Sequence, residues 1–132
     1  MTSTTDKTAP EAIQSVTAYL AVRPAVELID FVKRAFGAEE LLRTTGSAGG
    51  VHAEVRIGDT KVMIGGGGAW GGTPTPTGLH LSVPDADQVY QRALDAGAES
   101  LYEPVDQLYG DREAGVRDVA GNHWYIATYT GK

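Results

Sequence analysis

Hydrophobic and polar positions along this chain follow two periods, one of about two residues and one of about 3.6, and the order of these periods occurs twice. Residues 16–22 are apolar with high strand propensity and stop at Arg23-Pro24. Pro24 suits the first turn of a helix, where its missing N–H costs nothing. Ala25, Leu28, Ile29, Val32 and Phe36 then recur at helical spacing, and Gly37 is a left-handed stop. Residues 40–45 read as a strand, 46–50 as a Gly/Ser turn, and 51–57 and 60–64 as a hairpin across Gly58-Asp59. Residues 65–78, rich in Gly, Pro and Thr and carrying Trp70, read as a linker or mobile loop.

After that loop the order restarts. Residues 79–83 read as a strand, and Pro84 precedes a helix whose start, Asp85 with Gln88, resembles a capping box with Asp in place of Ser or Thr. Ala86, Val89, Tyr90, Ala93 and Leu94 form its apolar stripe, and Gly97 ends it. Strands are expected at 101–104, 113–117 and 123–128, the last two joined by a turn at 118–122. At an offset of 60, Pro24 falls on Pro84, Gly37 on Gly97, Ala38 on Ala98, Glu39 on Glu99 and Leu41 on Leu101. Each half is too small to bury both its helix and its sheet face, so two halves must pack together. The expected organisation is a flexible tail at 1–13, a first βαβββ module at 14–64, a Gly/Pro-rich linker at 65–77 and a second module at 78–130, with 14–130 one compact domain.

Composition narrows the classes of function. Eleven basic residues against 17 acidic ones give a formal net charge of -6, and the basic residues are scattered, which disfavours nucleic acid. There is no cysteine, so disulfides, thiolate metal sites and cysteine nucleophiles are excluded. No apolar run reaches the roughly 18 residues a membrane span needs. The first dozen residues contain no hydrophobic segment of the kind a secretory signal carries. These absences lead us to expect a cytoplasmic protein with no membrane partner.

Strand alternation sorts side chains by face. Val51, Ala53, Val55, Val62 and Ile64 should cover a helix, which leaves His52, Glu54, Arg56, Lys61 and Met63 opposite. In the second half Leu79, Leu81, Val83, Trp124 and Ile126 face the helix, and His80, Ser82, His123, Tyr125 and Ala127 face away. Thr17, Tyr19 and Ala21 join that second face. All three histidines therefore share the helix-free side with Tyr19, Tyr125, Glu54 and Met63. Apolar and aromatic walls with a few polar groups describe a binding cleft better than a plain solvated face. His52 and Glu54, two apart on one strand face, are spaced as neighbouring acid/base groups and are the candidate catalytic residues.

The segments IDFVKRAFGAEEL, HAEVRIGDTKVMI and YGDREAGVRDVAGNHW resemble the glyoxalase/bleomycin-resistance/dioxygenase (vicinal oxygen chelate) superfamily, and more narrowly its PhnB-like branch. The likeness spans roughly residues 14–129. It implies an α+β fold: two tandem βαβββ modules forming a curved, incompletely closed mixed sheet with helices on the convex face. It also implies a concave ligand cleft and pairing into a homodimer. The four metal-ligand positions of the metal-dependent relatives fall on Thr17, Met63, Gly78 and Tyr125, none a His or carboxylate. No metal and no cofactor are therefore expected. If the last strand runs parallel to the first within a half, His80 and His123 shift in opposite senses, to about 13 Å apart. That is too far for one metal. The resemblance further implies that the turn Tyr109-Gly110-Asp111-Arg112 shapes one end of the cleft, with Arg112 open to an anionic group or locked within its own turn.

The candidate ligand-binding residues are Tyr19, His52, Glu54, Met63, Trp70, His80, Tyr109, Arg112, His123 and Tyr125. Trp70 is a candidate aromatic lid over the cleft, or equally part of a disordered loop or of a subunit contact. The leading expectation is a metal-independent protein that sequesters a small planar or aromatic drug or metabolite. Its alternatives are a lyase or isomerase using His/Glu acid–base chemistry or a non-standard metal site, and a homodimeric structural or regulatory domain. A methyltransferase is not supported, since no Gly-rich nucleotide fingerprint follows a strand and opens a helix.

Overall fold

The computed structural model describes residues 14–46 and 48–131; the expected tail at 1–13 lies outside the described residues. The elements are β1 (Tyr19–Ala21), α1 (Ala25–Phe36), β2 (Glu39–Thr45), β3 (Val51–Ile57), β4 (Thr60–Gly66), β5 (Gly78–Ser82), α2 (Ala86–Asp95), β6 (Glu99–Asp106), β7 (Asp111–Arg117) and β8 (His123–Tyr129). They build two four-stranded sheets, ordered β1-β4-β3-β2 and β5-β8-β7-β6. In each sheet the first strand runs parallel to the last, and the other pairs are antiparallel. A parallel pair needs a crossover connection, and α1 and α2 supply it. This is the expected α+β architecture of two tandem βαβββ modules.

The helices form where the apolar stripe and the stop signals agree. In α1, Ala25, Leu28, Ile29, Phe31, Val32 and Ala35 are buried. Gly37 adopts φ 68°, the left-handed conformation that closes the helix by donating to the Lys33 carbonyl. In α2 the Asp85 carboxylate accepts from the Gln88 backbone N–H at 3.2 Å, the expected cap. Each fully buried Leu28, Ile29 or Phe31 contributes about 2 kcal/mol of transfer free energy.

Several strands differ from the hydropathy pattern. The strand expected at 16–22 shrinks to the three residues of β1, because only Tyr19–Ala21 find ladder partners on β4. β6 is longer than expected, eight residues running through Pro104. It is an edge strand whose register shifts between Tyr102 and Val105, so the missing N–H of Pro104 breaks no regular ladder.

The modules meet through their helices. Arg34 donates to the Ala96 carbonyl at the end of α2, and Arg92 donates to the Arg34 carbonyl in the last turn of α1. The Phe36 ring lies 4.7 Å from that of Trp124, joining α1 to the helix side of the second sheet. One hydrophobic core results, holding residues of both sheets and both helices. Each sheet therefore turns its other face outward. Among the described residues no ladder joins the two sheets. The β5 edge is separated from the β3–β4 hairpin by a cavity of about 620 Å³, lined in part by Ile57, Val62, Leu79 and Leu81.

Candidate functional site

The outward face of the first sheet is a grid of cross-strand rows. One row runs Tyr19, Met63, Glu54, Leu42, and the next Ala21, Gly65, His52, Thr44. The second row is small at its centre, and Tyr19 lies down into the space. A Cβ on Gly65 would stand 2.5 Å from the Tyr19 hydroxyl oxygen and 3.2 Å from Cζ. That posture brings the Tyr19 hydroxyl to 3.2 Å from His52 Nδ1, with ring centroids 5.7 Å apart. Glu54 is engaged elsewhere, by Lys61 at 3.3 Å.

The loop after β4 folds back over this face. Arg23 donates to the carbonyls of Trp70 and Gly72, at 3.2 and 3.0 Å, and its guanidinium stands 5.5 Å from the Trp70 ring centroid. Trp70 thereby joins Tyr19, His52, Thr44 and the backbone of Gly65–Gly67 around a cavity of about 400 Å³. That size suits a small organic molecule.

The second sheet repeats the grid with different chemistry. Its central row is His80, Tyr125, Gly115, Tyr102, and the next is Ser82, Ala127, Glu113, Val105. Tyr102 lies over Gly115, where a Cβ would meet its Cε2 at 2.6 Å. Glu113 is only 7% exposed. Its Oε1 accepts from the Tyr109 hydroxyl at 2.5 Å and from Gln107 Nε2 at 3.3 Å. The Tyr102 hydroxyl is pushed up to about 12 by burial and then by the Glu113 charge. Tyr109 is pushed up to about 12 chiefly because its hydroxyl donates to Glu113. His80 Nε2 faces Asp111 at 3.7 Å and Glu113 Oε2 at 4.0 Å.

The ten ligand-binding candidates thus divide between two faces. Tyr19, His52, Glu54, Met63 and Trp70 belong to the first module, and His80, Tyr109, His123 and Tyr125 to the second. Arg112 belongs to neither. Alternation along β7 puts it opposite Glu113, where it grips Asp87 at 2.7 and 3.2 Å and Asp106 at 3.2 Å. It locks the turn to α2 and is not open to an anion. The acid–base pair is also split, His52 bonding to Tyr19 and Glu54 to Lys61. The spacing of His80 and His123 needs correction as well. Gly78 pairs with His123 and His80 with Tyr125, so the histidines are two residues out of register, about 7 Å along the strands instead of 13. His123 Nδ1 sits 3.5 Å from the Tyr125 hydroxyl.

A family model for the glyoxalase/bleomycin resistance protein/dioxygenase superfamily matches residues 13–126. The chain belongs to this superfamily. Protein Mb0911c of Mycobacterium bovis is 40% identical to it over 119 residues, covering 82% of this chain and 78% of that protein. Protein Rv0887c of Mycobacterium tuberculosis is 40% identical over the same length, with 82% and 70% covered. Both are uncharacterised. TioX from Micromonospora sp. ML1 has a similar structure, with TM-score 0.70, 27% identity and coverage of 87% and 95% of the two chains. A PhnB protein from Bacillus cereus shares the fold at TM-score 0.68 and 16% identity, with 87% and 99% covered.

The resemblance carries the metal-ligand positions of metal-dependent superfamily members onto Thr17, Met63, Gly78 and Tyr125. The donors do not fit a metal ion. Thr17 precedes β1, Met63 offers a thioether and Gly78 no side chain. Among the described residues no group of three or more His, Asp or Glu is placed to hold a metal.

Two parts of this superfamily site escape the pattern of the strands first read as facing the cleft. Glu113 and Tyr102 form the most buried polar cluster of the second face. The signal for Glu113 lies in the alternation of Asp111–Arg117, which sets Asp111, Glu113 and Gly115 on the side of His80 and Tyr125. Tyr102 reaches that side only through a register shift next to Ser100, which no sequence period announces.

Proposed function

We propose that this chain sequesters a small planar or aromatic molecule, without a metal, on the outward faces of its sheets. The observation that carries the reading is the cavity of about 400 Å³ on the first face, floored by glycine and walled by Tyr19, His52 and Trp70. Tyrosine and tryptophan rings offer a planar ligand stacking area. Arg23 holds Trp70 over that area through the loop carbonyls, so the indole acts as a roof.

The working unit in this proposal is a cytoplasmic homodimer. The shared core turns the two faces away from it, and the outer edges of β1 and β5 have no ladder partner among the described residues. Tyr19, Leu42 and Val105 stay 52%, 42% and 45% exposed on those faces. A second copy that sets its second module against the first module of its partner closes the cleft and covers them.

Thermal-shift screening with planar aromatic compounds, each followed by chromatography of the compound and by elemental analysis of the protein, tests this reading. We expect saturable stabilisation, unchanged compound and no stoichiometric metal. Consumption of the stabilising compound replaces the binder with a lyase or isomerase. Stabilisation by no planar compound removes the small-molecule reading.

A further inference from the structure

Seven carboxylates among the described residues sit beside a guanidinium or an ammonium group. Asp30 pairs with Arg34, Glu39 with Arg56, Glu40 with Arg43 and Lys33, Glu54 with Lys61, Asp87 and Asp106 with Arg112, and Glu99 with Arg117. Asp118 and Glu113 are both buried and lack such a partner; both oxygens of Asp118 accept from neighbouring neutral donors, which leaves Glu113 the less fully satisfied of the two. Among the described residues the only ionic neighbour of Glu113 is His80 at 4.0 Å, and His80 is shared with Asp111. The hydrogen bonds of Glu113 come from neutral donors: Tyr109 and Gln107 bond Oε1, and the Tyr102 hydroxyl also bonds the carboxylate. A carboxylate at 7% exposure without a cation is costly, and uncompensated buried charge is the kind of feature that a ligand repays.

The surroundings of this carboxylate indicate which ligand. Glu113 is flanked along its row by the short side chains of Ser82, Ala127 and Val105. The adjoining row presents the rings of Tyr125 and Tyr102, with Gly115 between them, and Tyr109 leans in from the turn. Tyrosine rings around a negative charge attract an organic cation twice over, through the carboxylate and through the negative ring faces. The Gly115 gap lets Tyr102 lie flat against the sheet, on the side that Glu113 and Tyr125 share.

We propose that the outward face of the second module around Glu113, Tyr102, Tyr109 and Tyr125 receives the ammonium end of a small organic cation. The inference rests on the sheet faces being ligand-bearing, and it specifies the charge of the molecule they take. The first face offers no such preference, because Glu54 there is already neutralised by Lys61.

The test is calorimetric titration of the full-length protein with benzyltrimethylammonium, benzylamine and the neutral benzyl alcohol, alongside 1-naphthol as a planar neutral probe. We expect both cations to bind at least about 10-fold tighter than the alcohol at low ionic strength, the margin shrinking with added salt. Glu113→Gln keeps the shape and removes the charge. In that variant we expect the cation preference to vanish, affinity for 1-naphthol to persist and the unliganded melting temperature to hold or rise. Tyr109→Phe, which leaves the charge, should retain most of the preference. Equal affinity for benzylamine and benzyl alcohol in the wild type overturns the proposal, as does a preference that survives Glu113→Gln. Stoichiometric divalent metal bound by His80, Asp111 and Glu113 also overturns it. Binding of 1-naphthol without a cation advantage defeats this inference alone, whereas binding of none of the four probes defeats the small-molecule reading with it.

Discussion

Gly65→Ala isolates the posture of Tyr19 from the stability of the fold. Gly65 sits in β4 beside Ala21 and His52, with ordinary strand geometry, so alanine meets no backbone strain. Replacing a strand glycine gains about 0.4–1 kcal/mol by restricting the unfolded chain. The new methyl, however, stands 2.5 Å from the Tyr19 hydroxyl oxygen, well inside the 3.4 Å at which ordinary contact begins. The ring must lift by about 1 Å, which breaks its 3.2 Å hydrogen bond to His52. That exposed bond is worth about 0.5–1 kcal/mol. The two effects offset each other, and we expect the urea midpoint to change little. Binding should respond instead. A misplaced aromatic wall forfeits roughly 1 kcal/mol of stacking, so affinity for a planar ligand should fall about 5-fold. Urea denaturation with ligand titration measures both quantities, and the same substitution in a Tyr19→Ala background should then have little effect on affinity. If Gly65→Ala binds as tightly as the wild type, Tyr19 is not a wall of the site.

Three further outcomes follow from the same geometry. Asp118, 5% exposed, accepts from the backbone of Ala120 and Asn122 and from Trp124 Nε1, so Asp118→Ala should cost about 3 kcal/mol in urea unfolding by stranding these donors. Ultraviolet titration should show Tyr102 and Tyr109 ionising near pH 12, with Glu113→Gln lowering Tyr109 more than Tyr102, since burial is the leading cause for Tyr102 alone. Because both folded values lie above the ordinary 10.0, their contribution to stability is complete below pH 10 and declines as the pH rises toward 12. Arg112 holds the Asp87 carboxyl below its ordinary 3.8, so that ion pair favours the fold above this value and loses its effect as the pH drops beneath it. Arg112→Ala should remove this acid dependence, read from melting temperatures between pH 2 and 6, while leaving ligand affinity unchanged.

The repeat was legible because it rests on backbone requirements: a left-handed glycine after α1 and apolar spacing that two periods describe well. The faces of β3, β4, β5 and β8 were legible for the same reason, since alternation leaves no freedom once one residue is placed. Register was less accessible. Whether Gly78 lies opposite His123 or Tyr125 depends on the length of the loops at 65–77 and 118–122, and moving by two residues changes neither face nor hydropathy. The shift that presents Tyr102 to Glu113 belongs to an edge strand interrupted by Pro104, where packing decides the path. Arg112 shows a further limit: its charge suggested an anion, yet the alternation that places Glu113 toward the cleft turns Arg112 toward α2. Trp70 stood out in the sequence for its glycine-rich setting, but its place beside Arg23 is visible only in three dimensions.

Tryptophan fluorescence offers the most direct measurement of ligand binding on the Trp70-roofed face. The chain has two tryptophans, and Trp124 is 2% exposed in the core while Trp70 lines the cavity. Titration with a planar ligand that stabilises the protein should quench part of the emission saturably. Trp70→Phe should abolish that change and weaken the affinity measured by calorimetry, with Trp124 emission unmoved. Quenching of the same size and midpoint in Trp70→Phe would place the ligand elsewhere and contradict the account.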